Sequence, residues 1–319
     1  MSRRVCVVGA GYWGKNHIRT LNKLGALGGI VESNSETCNK FIDKYPSVKC
    51  YTKLEDAFKD NYDAYTVATP AETHYKIGKR IINNGKHVLI EKPMTLSIEE
   101  AEDLLSLSKK KNINLMVGHV LLFHPAIKKI KDLINDGAIG ELQYIYSNRL
   151  NLGKVRTEEN VFWSLAPHDI AIFQFITDSF PKDLQSKGSI FLQKGIPDST
   201  MTSIEYESGV EGHIFVSWLH PFKEHRLVVI GSEAMISFED SIDGKPLKLY
   251  SKKFDLISGS PEKIDGPVKM IPYKQKMPLT EELEYFLKHL SGEKLKIANG
   301  EQGLDVVRIL VKTSEQLLT

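Results

Sequence analysis

An acid and an amine stand side by side where a short apolar run stops, in Lys86-His87-Val88-Leu89-Ile90-Glu91-Lys92-Pro93. The run reads as a buried strand, and Pro93 ends it because proline has no N–H to give a sheet ladder. At the carboxyl end of a strand in an open α/β sheet, a lysine can act on a bound ligand instead of decorating a surface. A lysine in such a place is, taken alone, most often solvated. A second proton-handling group changes the reading: His168 follows Pro167 at a helix start, where one ring nitrogen can face a crevice. Before it lie Arg149, Asn151 and Arg156, and cations with an amide between two elements suit an anionic, hydroxyl-rich ligand. Taken alone, His168 is more often a satisfied helix-start residue; paired with Lys92 it becomes a candidate for a ligand site.

The elements that must carry these groups are legible from the start of the chain. Arg4 to Val8 is an apolar strand leading into Gly9-Ala10-Gly11-Tyr12-Trp13-Gly14, and Lys15 to Leu24 then has helical periodicity. Strand, glycine turn and helix together form the context in which GxGxxG cradles a pyrophosphate, at a helix N-terminus rich in donors. Tyr12 and Trp13 sit in the same turn. A second strand over Ala26 to Val31 ends in Glu32, an acid suited to capture the adenosine ribose hydroxyls and to repel a 2′-phosphate, which favours NAD over NADP. Ala64 to Ala68 is a third strand, followed by Thr69-Pro70 and by His74 at a helix start, where it could face the nicotinamide half of the site. With the strand ending in Glu91-Lys92, a helix over Ser97 to Lys111 and a closing strand at Leu115 to Gly118, the alternation predicts a doubly wound, parallel Rossmann sheet over residues 1–120.

Beyond Val120 the pattern changes. A helix from His124-Pro125 through Ile134 precedes a long alternating strand, Glu141 to Leu152. Further strands are expected at Ser189 to Leu192, Thr200 to Tyr206, Gly212 to Trp218, Arg226 to Ile230, Met235 to Glu239 and Leu247 to Tyr250, with Ser258 to Pro267 as an exposed loop. That density predicts an α+β domain, residues 121–319, on a largely antiparallel sheet. Amphipathic helices over Leu279 to Leu290 and Gly300 to Leu318 finish the chain, the last with the option of returning to the first domain.

With 42 Lys plus Arg against 40 Asp plus Glu in 319 residues, there is no electrostatic case for a nucleic-acid partner. No apolar run approaches a membrane span and no signal-peptide core follows Met1, so the expectation is a cytoplasmic protein without a membrane partner. Cys6, Cys38 and Cys50 lack metal-ligand spacing and are assigned no chemistry; no metal site is expected.

In this order, GxGxxG at Gly9 to Gly14, Thr69-Pro70 with His74, Glu91-Lys92-Pro93, and Trp163 through His168-Asp169 resemble the Gfo/Idh/MocA oxidoreductases across nearly the whole chain. The resemblance implies a C-terminal open-faced sheet, NAD(P), and a homodimer or homotetramer. It also implies a lysine of the EKP motif at the junction of nicotinamide and sugar, here Lys92, and a catalytic histidine, here His168. Glu91, Lys92 and Trp163 join the cofactor set. Many members carry Asp four residues before the histidine; this chain has Ser164, which tells against a Lys-Asp-His relay. Gly118-His119 through Pro125, Asn148 to Gly153 and Trp163 to Ile170 look closest to the nucleotide-sugar 3-dehydrogenases of the family. That branch implies oxidation of the 3-hydroxyl of a UDP-N-acetyl-hexosamine to a ketone for an aminotransferase, in diamino-sugar synthesis for lipid A. It implies a substrate set of Lys92, His119, Arg149, Asn151, Arg156 and His168. Dehydrogenases of the corresponding uronate, enzymes of free sugars or inositols, and a catalytically silent NAD-dependent sensor are the alternatives.

Overall fold

The computed structural model describes residues 3–317. The chain forms two units, one of Met1–Phe123 with Met277–Arg308, the other of His124–Lys276 with Ile309–Thr319.

In the first unit, β1 (Val5–Val8), β2 (Leu27–Val31), β3 (Lys49–Tyr51), β4 (Ala64–Val67), β5 (His87–Glu91) and β6 (Leu115–Gly118) make a parallel sheet in the order β3-β2-β1-β4-β5-β6. β1, β4 and β6 are buried at every position, which is why they read as unbroken apolar runs and not as alternating ones. The connecting helices are α1 (Gly14–Lys23), α2 (Ser35–Lys44), α3 (Leu54–Ala57), α4 (His74–Asn83) and α5 (Ile98–Lys110). Asn34 caps α2 by accepting the Thr37 N–H (2.8 Å), and Ser97 caps α5 by accepting that of Glu100 (3.2 Å). Strand order reverses between β1 and β4, which opens a switch point above their carboxyl ends. Cys38 and Cys50, to which sequence assigned no chemistry, are joined in a disulfide between α2 and β3. α9 (Pro278–His289) packs on α1 and on the short turn Val120–Phe123.

The second unit contains α6 (Pro125–Asn135), β7 (Leu142–Leu150), α7 (Val161–Leu165), α8 (Pro167–Thr177) and seven more strands. These are β8 (Pro181–Ser189), β9 (Ser199–Tyr206), β10 (Glu211–Ser217), β11 (Glu224–Gly231), β12 (Met235–Glu239), β13 (Leu247–Ile257) and β14 (Ser260–Met270). The eight strands run β14-β13-β12-β11-β7-β10-β9-β8, all antiparallel except β10 beside β7. β9 alternates buried and exposed along its length, so one face of the sheet is core. Ile145, Ile214, Val216, Val229 and Ile236 are fully buried, each worth about 1.5–3 kcal/mol of transfer free energy. α10 (Gly300–Leu317) begins in the first unit and ends in the second. Two expectations are corrected. Ser258 to Pro267 is not a loop but most of β14, and the strand expected at Ser189 to Leu192 lies earlier, at β8, while Phe191 and Leu192 are exposed. Among the described residues no helix is long and apolar enough to cross a membrane.

Candidate active site

Above the switch point, Gly9 turns the chain at φ 92°, a conformation that a side chain would strain. A Cβ on Gly14 would drive into the Gly9 carbonyl oxygen, whereas nothing lies within 4 Å of the Cβ position of Gly11. Gly9 and Gly14 are thus required by the turn itself, while Gly11 keeps an open approach to the backbone, as a pyrophosphate requires. Gly9, Gly11, Glu32, Thr69 and Pro70 line one cavity of about 400 Å³. Glu32 Oε2 accepts the Ala10 N–H (2.9 Å) and Oε1 accepts the Asn34 N–H (3.0 Å), which fixes the carboxylate against the glycine turn. A carboxylate has about four acceptor sites, so two N–H donors leave capacity for a ribose diol. Ser33, Thr52, Leu54, Ile77 and Arg80 also line it, and pattern alone singled out none of the last four for binding.

His74 does not face outward. It is buried, with Nδ1 2.8 Å from the Pro93 carbonyl oxygen and Nε2 2.9 Å from that of Thr69. It ties the loop after β4 to the loop after β5, so the expected cofactor contact is corrected to a positioning role. Glu91 is corrected in the same way. Its carboxylate points into the unit, where Oε1 accepts the Trp13 indole N–H and lies 2.7 Å from His17 Nε2. Oε2 accepts the Lys92 backbone N–H (3.3 Å). Residue 118 must be glycine for this, because a Cβ there would come within 2.8 Å of Glu91 Oε2. Glu91 therefore joins the glycine turn, α1 and β6 to the strand end that carries Lys92. Charge-assisted bonds of this kind are about twice as strong as neutral ones. Trp13 spends its N–H here, Tyr12 stands exposed, and Lys92, half-buried, follows β5 through a cis bond to Pro93. His119, after β6, is 1% exposed, with both ring nitrogens unpartnered among the described residues. Burial, aided by the Lys92 charge and opposed by Glu91, pushes its pKa down to about 4, so the imidazole is neutral.

In the second unit, His168 stands half-buried in the first turn of α8, behind Pro167 at N1. The next residue, Asp169, is 3% exposed and receives the fork of Arg149 from β7, Nε to Oδ2 at 2.7 Å and a second nitrogen to Oδ1 at 3.0 Å. This corrects the role expected of Arg149: a guanidinium in a buried bidentate pair holds the start of α8 and is not offered to a diphosphate. Its remaining nitrogen is 3.4 Å from His225 Nδ1. Burial and the Arg149 charge push the His225 pKa down to about 3. Trp163 on α7 gives its indole N–H to Ser314 Oγ (2.7 Å), so its polar edge serves the unit's interior and a cofactor could meet only the ring. Asn151 is half-buried, its amide folded over Gly153. Arg156 is exposed on the loop before α7, with Nε 3.9 Å from Glu159.

Residues 3–119 match the family described as the oxidoreductase family with an NAD-binding Rossmann fold, GFO/IDH/MocA, and residues 127–237 match the GFO/IDH/MocA C-terminal domain. Over 312 residues, 95% of this chain and 94% of the relative, the sequence is 24% identical to UDP-N-acetylglucosamine 3-dehydrogenase of Acidithiobacillus ferrooxidans. The solved structure of the enzyme of that name from the same organism superposes with a TM-score of 0.88, at 21% identity, covering 100% of this chain and 98% of the other. Scyllo-inositol 2-dehydrogenase (NAD⁺) of Bacillus subtilis is 28% identical over 276 residues, 80% of this chain and 79% of its own.

Proposed function

This chain belongs to the Gfo/Idh/MocA family and is an NAD-dependent oxidoreductase related to sugar dehydrogenases, and from that premise we propose that it oxidises the 3-hydroxyl of a UDP-N-acetyl-hexosamine, UDP-N-acetylglucosamine, to the 3-keto sugar. The carrying observation is that each proton-handling group stands on a rigid support within its own unit, Lys92 at a strand end pinned by Glu91 and His168 in a helix turn pinned by Arg149–Asp169. Likeness to the dehydrogenase of that substrate over 95% of the chain supports the choice of sugar.

The cofactor's residues fit the cavity: Gly9 makes the tight turn, Gly11 leaves the backbone open to the pyrophosphate, Glu32 accepts from the ribose, and Thr69 and Pro70 line the same cavity. NAD⁺, when bound, supplies the hydride acceptor. His168 takes the proton of the 3-hydroxyl, and Lys92 hydrogen-bonds the same oxygen and stabilises its alkoxide character. General-base help of this kind is worth roughly 3 to 5 kcal/mol of barrier. His119, neutral and buried, is suited to give or accept one hydrogen bond without bringing a charge. Asn151 serves a sugar hydroxyl or the acetamido group, and Arg156 remains as the candidate for the diphosphate. The ketone passes to an aminotransferase, a step on the route to the diamino sugar of lipid A.

A second reading, a free cyclitol or sugar as substrate, is favoured by the commitment of Arg149 to Asp169, which removes one of two expected diphosphate ligands, and by the inositol dehydrogenase relative. The test is NADH formation from NAD⁺ with a panel of UDP-sugars, free sugars and inositols, an aminotransferase with amino donor being present to draw off the ketone. Turnover of UDP-N-acetylglucosamine is expected, with Lys92→Ala reducing kcat at least 100-fold, within the usual range for a positioned proton-handling group. Turnover of scyllo- or myo-inositol without any UDP-sugar would replace the reading by the second.

A further inference from the structure

Behind Lys92 the first unit buries more ionisable groups than the proposed reaction uses. Glu282 on α9 is fully buried, and neither carboxyl oxygen has a hydrogen-bond partner among the described residues. His17 on α1 is equally buried; its Nε2 meets Glu91 at 2.7 Å while its Nδ1 is unpartnered. α1 and α9 pack directly against one another. Burial, with the charge of Glu91 next, holds the Glu282 carboxyl well above the usual carboxylate range. Glu91 also faces His119, whose ring nitrogens are unpartnered among the described residues and which feels the charges of Glu91 and Lys92.

An un-ionised carboxylic acid has an O–H to give, and a neutral imidazole that donates Nε2–H to Glu91 has a lone pair at Nδ1 to receive it. Leaving both buried and unmade costs each group its lost hydration. The two deficits are complementary and lie on adjoining helices. We propose that Glu282, His17 and Glu91 form a buried acid–imidazole–acid relay holding one shared proton behind the strand end that carries Lys92. In one form Glu282 carries the proton, His17 is neutral and Glu91 is the anion. In the other, the Glu282 O–H bond breaks as Nδ1–H forms, and the Nε2–H bond breaks as an O–H forms on Glu91. The three residues keep one negative charge throughout, and no electron is exchanged. What changes is where the charge lies relative to Lys92, whose backbone N–H is bonded to Glu91. Glu282 and His17 are positioning residues: they act on the reacting site through Glu91.

The relay itself does not require the substrate to be the one proposed above, although its catalytic consequence rests on that reading. The test is therefore spectroscopic first. Infrared difference spectra of wild type against Glu282→Gln at about pH 8 read the carbonyl stretch of an un-ionised carboxylic acid, and ¹⁵N NMR reads His17 Nδ1. The relay predicts that wild type shows the acid band, that Glu282→Gln loses it, and that the His17 Nδ1 resonance moves. Wild type without the band, or a variant that keeps both band and resonance, overturns it. If Glu282→Gln does not fold, His17→Asn takes its place: the relay then predicts a shifted acid band, and an unshifted one overturns it. For turnover, Glu282→Gln is expected to change kcat and to leave KM for NAD⁺ unchanged, as a residue that acts through the strand end carrying Lys92 would. A band lost on cue with no turnover of any substrate in the panel would sink the functional reading and leave the relay standing.

Discussion

At the scale of the residue, Glu282 gives the sharpest thermodynamic expectation. Its carboxyl has a folded-state pKa raised above the unfolded value of 4.5, mainly by burial. The folded state therefore binds the proton more tightly than the unfolded one, a contribution fully present below 4.5 and lost as pH rises through the folded value. Glu282→Gln keeps the shape and has no proton to lose. Thermal melts of wild type and Glu282→Gln from pH 4 to 8 are expected to diverge in the variant's favour, by up to roughly 1.4 kcal/mol per pH unit above the unfolded pKa. Parallel curves across that range would mean Glu282 is ionised at no cost. No sequence signal marks them: His17 and Glu282 each occupy an ordinary helix position, and both are buried in the fold, where α1 packs on α9. Arg149 was misread for a related reason. Its type and loop-side position suggest an anion ligand, but its partner Asp169 becomes visible only once β7 and α8 are folded together. Gly9, Gly14 and Glu32 were legible because a glycine turn between strand and helix is a local structure, complete within the residues that spell it.

At the scale of the element, α8 matters most, because His168 sits in its first turn and Arg149–Asp169 holds that turn to β7. Removing one partner of a buried ion pair leaves the other uncompensated, at a cost of about 3–5 kcal/mol, whereas apolar replacement of both is often neutral. Asp169→Asn is expected to lose about 3 kcal/mol in denaturant unfolding and at least tenfold in kcat. Arg149→Met with Asp169→Leu is expected to recover the stability and not the rate, which separates holding the fold from aiming His168. Full recovery of kcat in the double variant would remove the pair from the account. The strand end Glu91-Lys92-Pro93 could be read from sequence as a terminus but not as a junction. The groups that fix it, Trp13, His17 and Gly118, come from three other elements. β14 escaped for the opposite reason: Ser260, Pro261, Gly266 and Pro267 spell a loop, and the segment is a strand because β13 offers it an edge.

At the scale of the whole molecule, the near-balance of 42 basic and 40 acidic residues argues for local cations, not a general field, as the means of holding an anionic ligand. The α/β parallel sheet and the mostly antiparallel one were both readable, since period, strand density and turn residues are properties of long stretches. Family and cofactor follow from the same stretches together with the matched regions 3–119 and 127–237. The substrate is the finest distinction and the central claim, and isotope transfer tests it most directly. UDP-N-acetylglucosamine carrying deuterium at C3 of the sugar is incubated with the protein, NAD⁺ and an aminotransferase, and the reduced cofactor is examined by mass spectrometry. The account predicts NADH carrying one deuterium; NADH formed without deuterium, or none formed while an inositol is oxidised, would contradict it.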